Sequence, residues 1–142
     1  MLFCRVLEEE LEDRIRIVAQ TGCFVAFVPY AALSPFSMYL FPRRHMASLA
    51  QIQVEEIHDF ARTLQVVLAK LYYGLAYNFV IRTAPTANSH SGYYDWYLSL
   101  TPRVTKLAGF ELGSGRYINV MLPEASAEFL RNVEVPASVL PR

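Results

Sequence analysis

Residues 48–74 read SLAQIQVEEIHDFARTLQVVLAKLYYG, and the periodicity of this stretch decides the fold class. Ser48 followed by Gln51 fits a capping box at the start of a helix, and Gly74 fits a stop near its end. Apolar residues at spacings of three and four lie on one face of a helix. We therefore expect one long helix over about residues 49–73. It should pack on a sheet through Ile57, Leu64, Leu68 and Leu71.

Short runs rich in β-branched and aromatic residues flank this helix on both sides, which is typical of strands. Two runs joined by the turn Thr21-Gly22 predict an antiparallel hairpin. Strands before and after a single helix, without βαβ alternation, indicate an α+β domain with a mostly antiparallel sheet. We expect at least five strands, at residues 14–20, 23–29, 37–41, 77–82 and 93–100.

The chain has 142 residues, which is the size of one domain by the usual range of roughly 100 to 200 residues. Pro123 opens a C-terminal helix over residues 123–132, because proline favours the first helical position. We expect a single domain over residues 1–133 and a tail over residues 134–142.

Composition argues against several classes of protein. Thirteen basic and thirteen acidic residues cancel, so no global field attracts nucleic acid or a membrane surface. No apolar segment approaches the roughly 18 residues that span a bilayer, and two cysteines are too few for a secreted disulfide framework. We expect a cytoplasmic protein that binds neither nucleic acid nor membrane. The acidic helix residues Glu55, Glu56 and Asp59 are interpreted as a solvated face.

The three histidines, His45, His58 and His90, lie at no spacing that brings two of them together. A nucleophile with its base, or a metal site, needs several groups that converge. Cys4 and Cys23 could share a metal with His45, but the coordination would be incomplete. We therefore expect no catalytic residue, no metal and no cofactor in this chain.

The stretch 101–119, TPRVTKLAGFELGSGRYIN, places Lys106, Glu111 and Asn119 around three glycines. A lysine, a carboxylate and an amide can hold a phosphate and sugar hydroxyls, and glycine lets the backbone approach a ligand closely. The alternative is a glycine-rich hairpin with solvated charges. Composition alone favours that alternative, and both interpretations stay open at this point.

Four segments in this order resemble a known family: FVAFVPYAALSPFSMYLFPRRH, YNFVIRTAP, DWYLSLTPRVTKLAGFELGSGRYIN and PEASAEFLR. Over about residues 4–132 they resemble the C-terminal half of the galactose-1-phosphate uridylyltransferases, of the histidine-triad superfamily. The resemblance implies a half-barrel of antiparallel strands with helices packed on it. It also implies galactose metabolism and a dimer, with nucleotidyl transfer between a sugar phosphate and a nucleotide sugar.

The chain differs from that family at the positions that carry the family's chemistry. The nucleophilic histidine belongs to a His-Pro-His motif of the N-terminal half, and this chain has no His-x-His. Relatives commonly read His-Trp-His where this chain has Asp95-Trp96-Tyr97, and often have histidine where it has Arg82. A Cys-x-x-Cys pair often opens this half, and here Met1 takes the first place and leaves Cys4 alone. The resemblance therefore implies lost metal ligands.

The family's sugar-binding loop is largely kept. In the relatives this loop crosses a dimer interface and contacts the hexose of the neighbouring subunit. Lys106, Glu111 and Asn119 fall on or near its positions. With Arg82 and Tyr97 they form our predicted ligand-binding set, a basic and aromatic cleft for a sugar phosphate or nucleotide sugar.

Three functions remain open. The first is a catalytically incomplete binding or interaction module. The second is the C-terminal half of a hexose-1-phosphate uridylyltransferase that acts with a separate N-terminal half. The third is a structural or oligomerising domain, which forms a homodimer through exposed tyrosines at Tyr93, Tyr94 and Tyr97.

Overall fold

Five antiparallel strands and four α-helices make up the part of the chain that the structure describes. The computed structural model describes residues 2–71, 75–85, 92–106 and 108–135. In chain order the elements are α1 (Leu2–Asp13), β1 (Ile17–Gln20), β2 (Phe24–Phe27), β3 (Met38–Pro42), a 3₁₀ turn (Leu49–Gln51), α2 (Val54–Lys70), β4 (Tyr77–Arg82), β5 (Tyr97–Pro102), α3 (Gly109–Ser114) and α4 (Pro123–Asn132).

The strands form one sheet in the order β1-β2-β3-β5-β4, and every neighbouring pair is antiparallel. Strand β5 lies between β3 and β4, so the last strand along the chain is an inner strand of the sheet. The α+β prediction is confirmed, with the predicted hairpin at β1 and β2. The predicted fifth strand starts four residues later than expected, at Tyr97.

Helices cover both faces of the sheet. On one face, α2 and α4 pack against the largest core cluster, in which Phe24, Trp96 and Leu98 are fully buried. Trp96 lies edge-on to Phe24 and Phe60, with ring centroids 6.1 and 5.6 Å away. The inner strands therefore need apolar side chains on both faces, and all four residues of β2 are buried.

Helix α1 covers the other face, and our sequence analysis did not predict it. Its apolar residues Phe3, Val6, Leu7 and Leu11 follow the helical spacing and pack on a second cluster that contains Phe27, Phe41 and Tyr97. The signal is present in the sequence, but our sequence analysis assigned no element before residue 14. The helix ends at Arg14, which takes a left-handed conformation with φ of 55°. The backbone N–H of Arg14 donates a hydrogen bond to the carbonyl oxygen of Glu10.

The long helix differs from its prediction in its start and in its buried face. The capping box of Ser48 and Gln51 exists, but it caps the short 3₁₀ turn, and α2 begins at Val54. The predicted packing of Ile57 is wrong, because this side chain is 47% exposed. The predicted stop at Gly74 lies outside the described residues.

Glu56 faces inward in place of Ile57. The Arg44 guanidinium donates to both carboxylate oxygens of Glu56, at 3.0 and 2.9 Å. The hydrogen bond from Arg44, helped by the Gln53 backbone N–H, lowers the pKa of Glu56. Glu56 is buried although the Arg44 side chain is half exposed, so the prediction of a solvated acidic face is wrong for Glu56. Asp59 is also engaged, since it accepts the Cys23 N–H at 2.6 Å.

Arg16, which lies just before β1, forms hydrogen bonds to both α1 and α4. Its guanidinium donates to both oxygens of Glu10 on α1, at 3.0 and 3.1 Å, and to Glu124 on α4, at 3.1 Å. The Glu10 side chain is only 3% exposed. Burial raises the pKa of Glu10 although Arg16 opposes the change. The arginine therefore compensates a carboxylate that solvent hardly reaches.

None of the described helices is both long enough and apolar enough to cross a membrane.

We expect Arg16→Ala to lower the free energy of unfolding by about 3–5 kcal/mol, because it leaves the buried Glu10 carboxylate without a partner. Urea denaturation measures the change. Arg5→Ala removes an exposed cation of α1 and should cost less than about 0.5 kcal/mol. The double change Glu10→Leu with Arg16→Met should recover most of the loss. Equal stability of Arg16→Ala and Arg5→Ala would contradict this role.

Candidate functional site

A cavity of about 670 Å³ lies at the end of β5, between the sheet edge and the chain that follows. Two cations, a carboxylate and an aromatic ring line it: Arg103, Lys106, Glu111 and Tyr117. Asn78 of β4 and Thr101 of β5 add polar side chains from one face of the sheet, where they are directly paired. Charged, hydroxyl and amide groups therefore converge on one space.

The glycine-containing stretch that lines this cavity forms a short helix, α3, instead of a hairpin. Glu111 closes its start, because Oε2 accepts the Ala108 N–H at 3.1 Å. Gly115 ends it in a left-handed conformation with φ of 67°, where glycine is favoured. Within the described residues no hydrogen bond involves Glu111 Oε1, so this oxygen is available to a ligand.

Two of the five predicted ligand residues, Lys106 and Glu111, line the cavity together. Asn119 lies close by, but its side chain holds the chain in place: Nδ2 donates to Ala32 O at 3.0 Å, and Oδ1 accepts the Met121 N–H at 3.1 Å. The bond to Ala32 links the segment after α3 to the loop before β3, and the bond from Met121 is local to that segment. They position one wall of the cavity.

The structure does not bring Arg82 and Tyr97 to the cavity. They are paired with each other at the opposite end of β4 and β5, and Arg82 is exposed. Tyr97 is only 8% exposed, and its ring stacks on Phe41 with centroids 4.7 Å apart and planes 8° apart. Burial raises the pKa of Tyr97. The prediction that Tyr97 is an exposed contact residue is wrong, while its part in ligand binding is untested.

A second polar cluster lies just before β5. The buried Asp95 accepts from His45 Nδ1 at 2.6 Å through Oδ1, and from the Cys4 thiol at 3.1 Å through Oδ2. The Met46 N–H adds a third bond at 3.3 Å. Burial and the hydrogen bond to Asp95 raise the pKa of Cys4, which favours the protonated thiol. His58 is exposed on α2, and His90 lies outside the described residues.

Comparison with known proteins identifies relatives of this chain in sequence and in structure. No protein-family model matches the chain. A galactose-1-phosphate uridylyltransferase of Thermotoga maritima is 32% identical over 143 residues, which cover 93% of this chain and 44% of that protein. The crystal structure of an Arabidopsis thaliana ADP-glucose phosphorylase with bound ADP-glucose aligns with a TM-score of 0.84 at 28% identity, over 93% of this chain and 43% of that one.

The chain is a relative of the galactose-1-phosphate uridylyltransferases. It spans less than half the length of the curated relatives, 37% of an ADP-glucose phosphorylase of Arabidopsis thaliana and 44% of the Thermotoga protein. In fold it also resembles a hypothetical histidine triad nucleotide-binding protein of Sulfolobus tokodaii, with a TM-score of 0.61 at 14% identity. That neighbour matches over 89% of its own length. The predicted resemblance to both groups is confirmed.

The resemblance to uridylyltransferases raises the question of a metal at the Asp95 cluster. Sγ of Cys4, a ring nitrogen of His45 and an oxygen of Asp95 lie within 4.8 Å of one another, and all three are zinc ligand types. In the structure as it stands Asp95 contacts both of its neighbours directly, and the Cys4 thiol donates to Oδ2 at 3.1 Å. The 2.6 Å between His45 Nδ1 and Asp95 Oδ1 is that of a hydrogen bond. Cys23, which we had considered with Cys4, is not in this set.

Our sequence analysis missed the roles of two side chains in this uridylyltransferase relative, those of Arg103 and Asp95. Arg103 lines the cavity together with Lys106, which follows it by three residues. That spacing was the only signal in the sequence for a role of Arg103. Asp95 was interpreted as a lost histidine, although it is the centre of a hydrogen-bonded cluster. The bonds to Cys4, across 91 positions of sequence, could not be seen before the chain was folded.

We expect Asp95→Asn to lower the free energy of unfolding by about 1–3 kcal/mol, because an amide cannot accept from both Cys4 and His45 through two charged oxygens. Asp13→Asn, at an exposed position, is the matched control. Thermal unfolding with and without EDTA completes the test. A melting temperature that falls on addition of EDTA would show that a metal, and not the carboxylate, holds the cluster.

Proposed function

We propose that this chain binds a sugar phosphate or a nucleotide sugar in the cavity lined by Arg103, Lys106 and Glu111. The observation that carries the proposal is the convergence of two cations and one carboxylate on a cavity of about 670 Å³. Ligand sites of proteins have volumes of about 300–1,000 Å³ and hold a few well-placed polar groups.

Each group has a chemical role in such a site. Arg103 can donate two parallel hydrogen bonds to a phosphate, and Lys106 adds a compact positive charge. Glu111 Oε1 accepts hydrogen bonds from sugar hydroxyls while Oε2 remains on the Ala108 N–H. Tyr117 is 55% exposed and offers a ring face to a sugar or a base.

The printed names of the relatives support this ligand class. The Thermotoga protein is a galactose-1-phosphate uridylyltransferase, and the Arabidopsis protein is an ADP-glucose phosphorylase whose crystal structure contains ADP-glucose. Both names contain a sugar phosphate or a nucleotide sugar. The chain spans less than half of each, so we propose that it contributes to binding this class of ligand and that the complete reaction belongs to the longer proteins.

The chain by itself is a catalytically incomplete member of this group. A covalent nucleotidyl intermediate needs an activated nucleophile. The sequence holds no His-x-His motif, and its histidines at 45, 58 and 90 are scattered. His45 Nδ1 is engaged with Asp95. A complete transferase would require a nucleophile from a second polypeptide segment.

We expect UDP-glucose to bind with a dissociation constant between about 1 mM and some tens of micromolar, roughly 4 to 7 kcal/mol, because the cavity is open to solvent. NMR shift titration measures it. Lys106→Ala and Arg103→Ala should each weaken binding about tenfold, the effect of losing one charge-assisted hydrogen bond. Glu111→Gln keeps an acceptor for the Ala108 N–H and should weaken binding without unfolding α3.

Arg116→Ala is the matched control, since Arg116 is an exposed cation near the same helix that does not line the cavity. Binding that is lost equally in Arg116→Ala and Lys106→Ala would indicate non-specific attraction. No shifts at millimolar UDP-glucose or ADP-glucose, in folded protein, would leave the structural domain as the better interpretation.

The second expected outcome concerns chemistry. Incubation with UDP-glucose that carries the label on its α-phosphate, followed by denaturing electrophoresis, should give no labelled protein. A labelled band that disappears in His45→Ala, His58→Ala or His90→Ala would identify a nucleophile and contradict the incomplete site.

A further inference from the structure

The two edge strands of the sheet, β1 and β4, differ in what lies beside them. All six residues of β4 are exposed. Strand β1 is in contact with helix α4, and its residues Ile17 and Val18 are buried. An edge strand presents a row of backbone N–H and C=O groups with which another chain can pair, so proteins cover or interrupt such edges.

The hydrogen bonds of β1 show which of its backbone groups point away from the sheet. Ile17 is the partner of Phe27 on β2. The Val28 N–H donates to the carbonyl of Arg16 at 3.0 Å, so this carbonyl points toward β2. The carbonyls of Ile15 and Ile17, one position away on either side, therefore point outward, because successive residues of an antiparallel strand direct their groups to opposite sides. An incoming strand would need these two carbonyls as acceptors.

The guanidinium of Arg131, on α4, occupies both outward carbonyls. Its Nη1 donates to Ile15 O at 2.7 Å and to Ile17 O at 2.8 Å. These are the distances of good N–H···O=C hydrogen bonds, so Nη1 lies where the N–H groups of a neighbouring strand would lie. One side chain thus satisfies the two carbonyls and fills part of the space that a further strand would take.

Helix α4 is fixed at both ends, which restricts the movement of Arg131. At its start, Glu124 accepts from the Arg16 guanidinium at 3.1 Å. At its end, the Lys70 ammonium donates to three backbone carbonyls, among them that of Arg131 itself at 3.1 Å. The last carbonyls of a helix lack partners within the helix, so a lysine there is favourable. Helix α2, through Lys70, therefore anchors the turn of α4 that carries Arg131.

A β-bulge interrupts the rest of the same edge. The pairing of β1 with β2 shifts register between Ile17 and Ala19, where β1 carries one extra residue. A bulge bends its strand and breaks the regular row of groups that strand pairing needs. Because β1 has only four residues, Arg131 acts on the part before the bulge and the bulge interrupts the remainder.

We propose that Arg131 closes the β1 edge of the sheet to strand addition by a second copy of this chain. The inference is independent of the proposed ligand, since it involves no residue that lines the cavity at the end of β5. A stack of copies needs a free edge on both sides of each copy, so closing one edge excludes open-ended assembly.

The strand that an uncovered β1 would accept is β1 of another copy. Its outward residues Ile15 and Ile17 each have one N–H donor and one C=O acceptor. Two such strands can pair antiparallel about a two-fold axis, with the donors of each copy opposite the acceptors of the other. Ile15 is 49% exposed, and the β-branched residues of this run favour an extended strand.

Sedimentation velocity of the full chain over a range of concentrations tests the closure. Arg131→Ala and Arg131→Met both remove the donors, and methionine keeps most of the side chain's packing if alanine unfolds the protein. Each should sediment faster than the wild type, by a difference that grows with concentration, because β1 is then free to pair. Circular dichroism establishes that each variant is folded. Folded variants that sediment like the wild type at every concentration would overturn the proposal.

Two controls separate the donors of Arg131 from its charge and bulk. Arg131→Lys keeps a side chain that donates to the carbonyls and should sediment like the wild type. Arg62→Ala removes the same side chain from an exposed position of α2 and should also match the wild type. Faster sedimentation of Arg62→Ala, to the same extent as Arg131→Ala, would contradict a specific role of Arg131.

A further variant locates the new contact. Adding Ile15→Lys to Arg131→Ala should restore the sedimentation of the wild type, because a lysine on an edge strand opposes pairing. Amide hydrogen exchange of Arg131→Ala should slow at Ile15 and Ile17 as concentration rises, since their N–H groups then donate to the second copy. A double variant that stays associated, or association without slower exchange at these two amides, would place the contact elsewhere and overturn the proposal.

Discussion

The pairing of β5 between β3 and β4 is the constraint on which the rest of the structure depends. Leu98 and Leu100 of β5 pair with Leu40 and Met38 of β3 and bury their side chains under α2 and α4. The other face of the same strand contributes Tyr97 to the core beneath α1. A strand buried on both faces has a single register, because a slip of one residue would exchange its faces.

That register separates two polar environments at the two ends of β5. Before the strand, Asp95 is buried, and the thiol, imidazole and backbone N–H around it are its hydrogen-bond donors. Beyond the strand, Arg103 and Lys106 are exposed and face a cavity without an ion-pair partner among the described residues. Buried charges that are fully paired hold the fold together. Unpaired cations in a cavity remain available to an anionic ligand.

The comparison with longer proteins bears on the exposed edge strand β4. The chain matches less than half of an Arabidopsis ADP-glucose phosphorylase, yet it matches nearly all of a histidine triad protein in fold. The same sheet thus exists within a larger chain and as most of a small one. Strand β4 ends this sheet with apolar side chains on both faces, so the fold as described leaves open a surface that suits another strand.

The sequence by itself determined the elements whose signals are local: the hairpin at Thr21-Gly22, the helix that Pro123 opens, and the stretch that carries Lys106 and Glu111. Turn residues, periodicity and family motifs act over a few positions, so they can be recognised before folding. Only the tertiary structure decided that Glu56 faces inward and Ile57 outward, because the buried Glu56 carboxylate has its partner, Arg44, 12 positions away in the sequence. It also decided the contacts of Asp95 and the position of Arg82 away from the cavity, since sheet register brings together residues that are far apart in sequence.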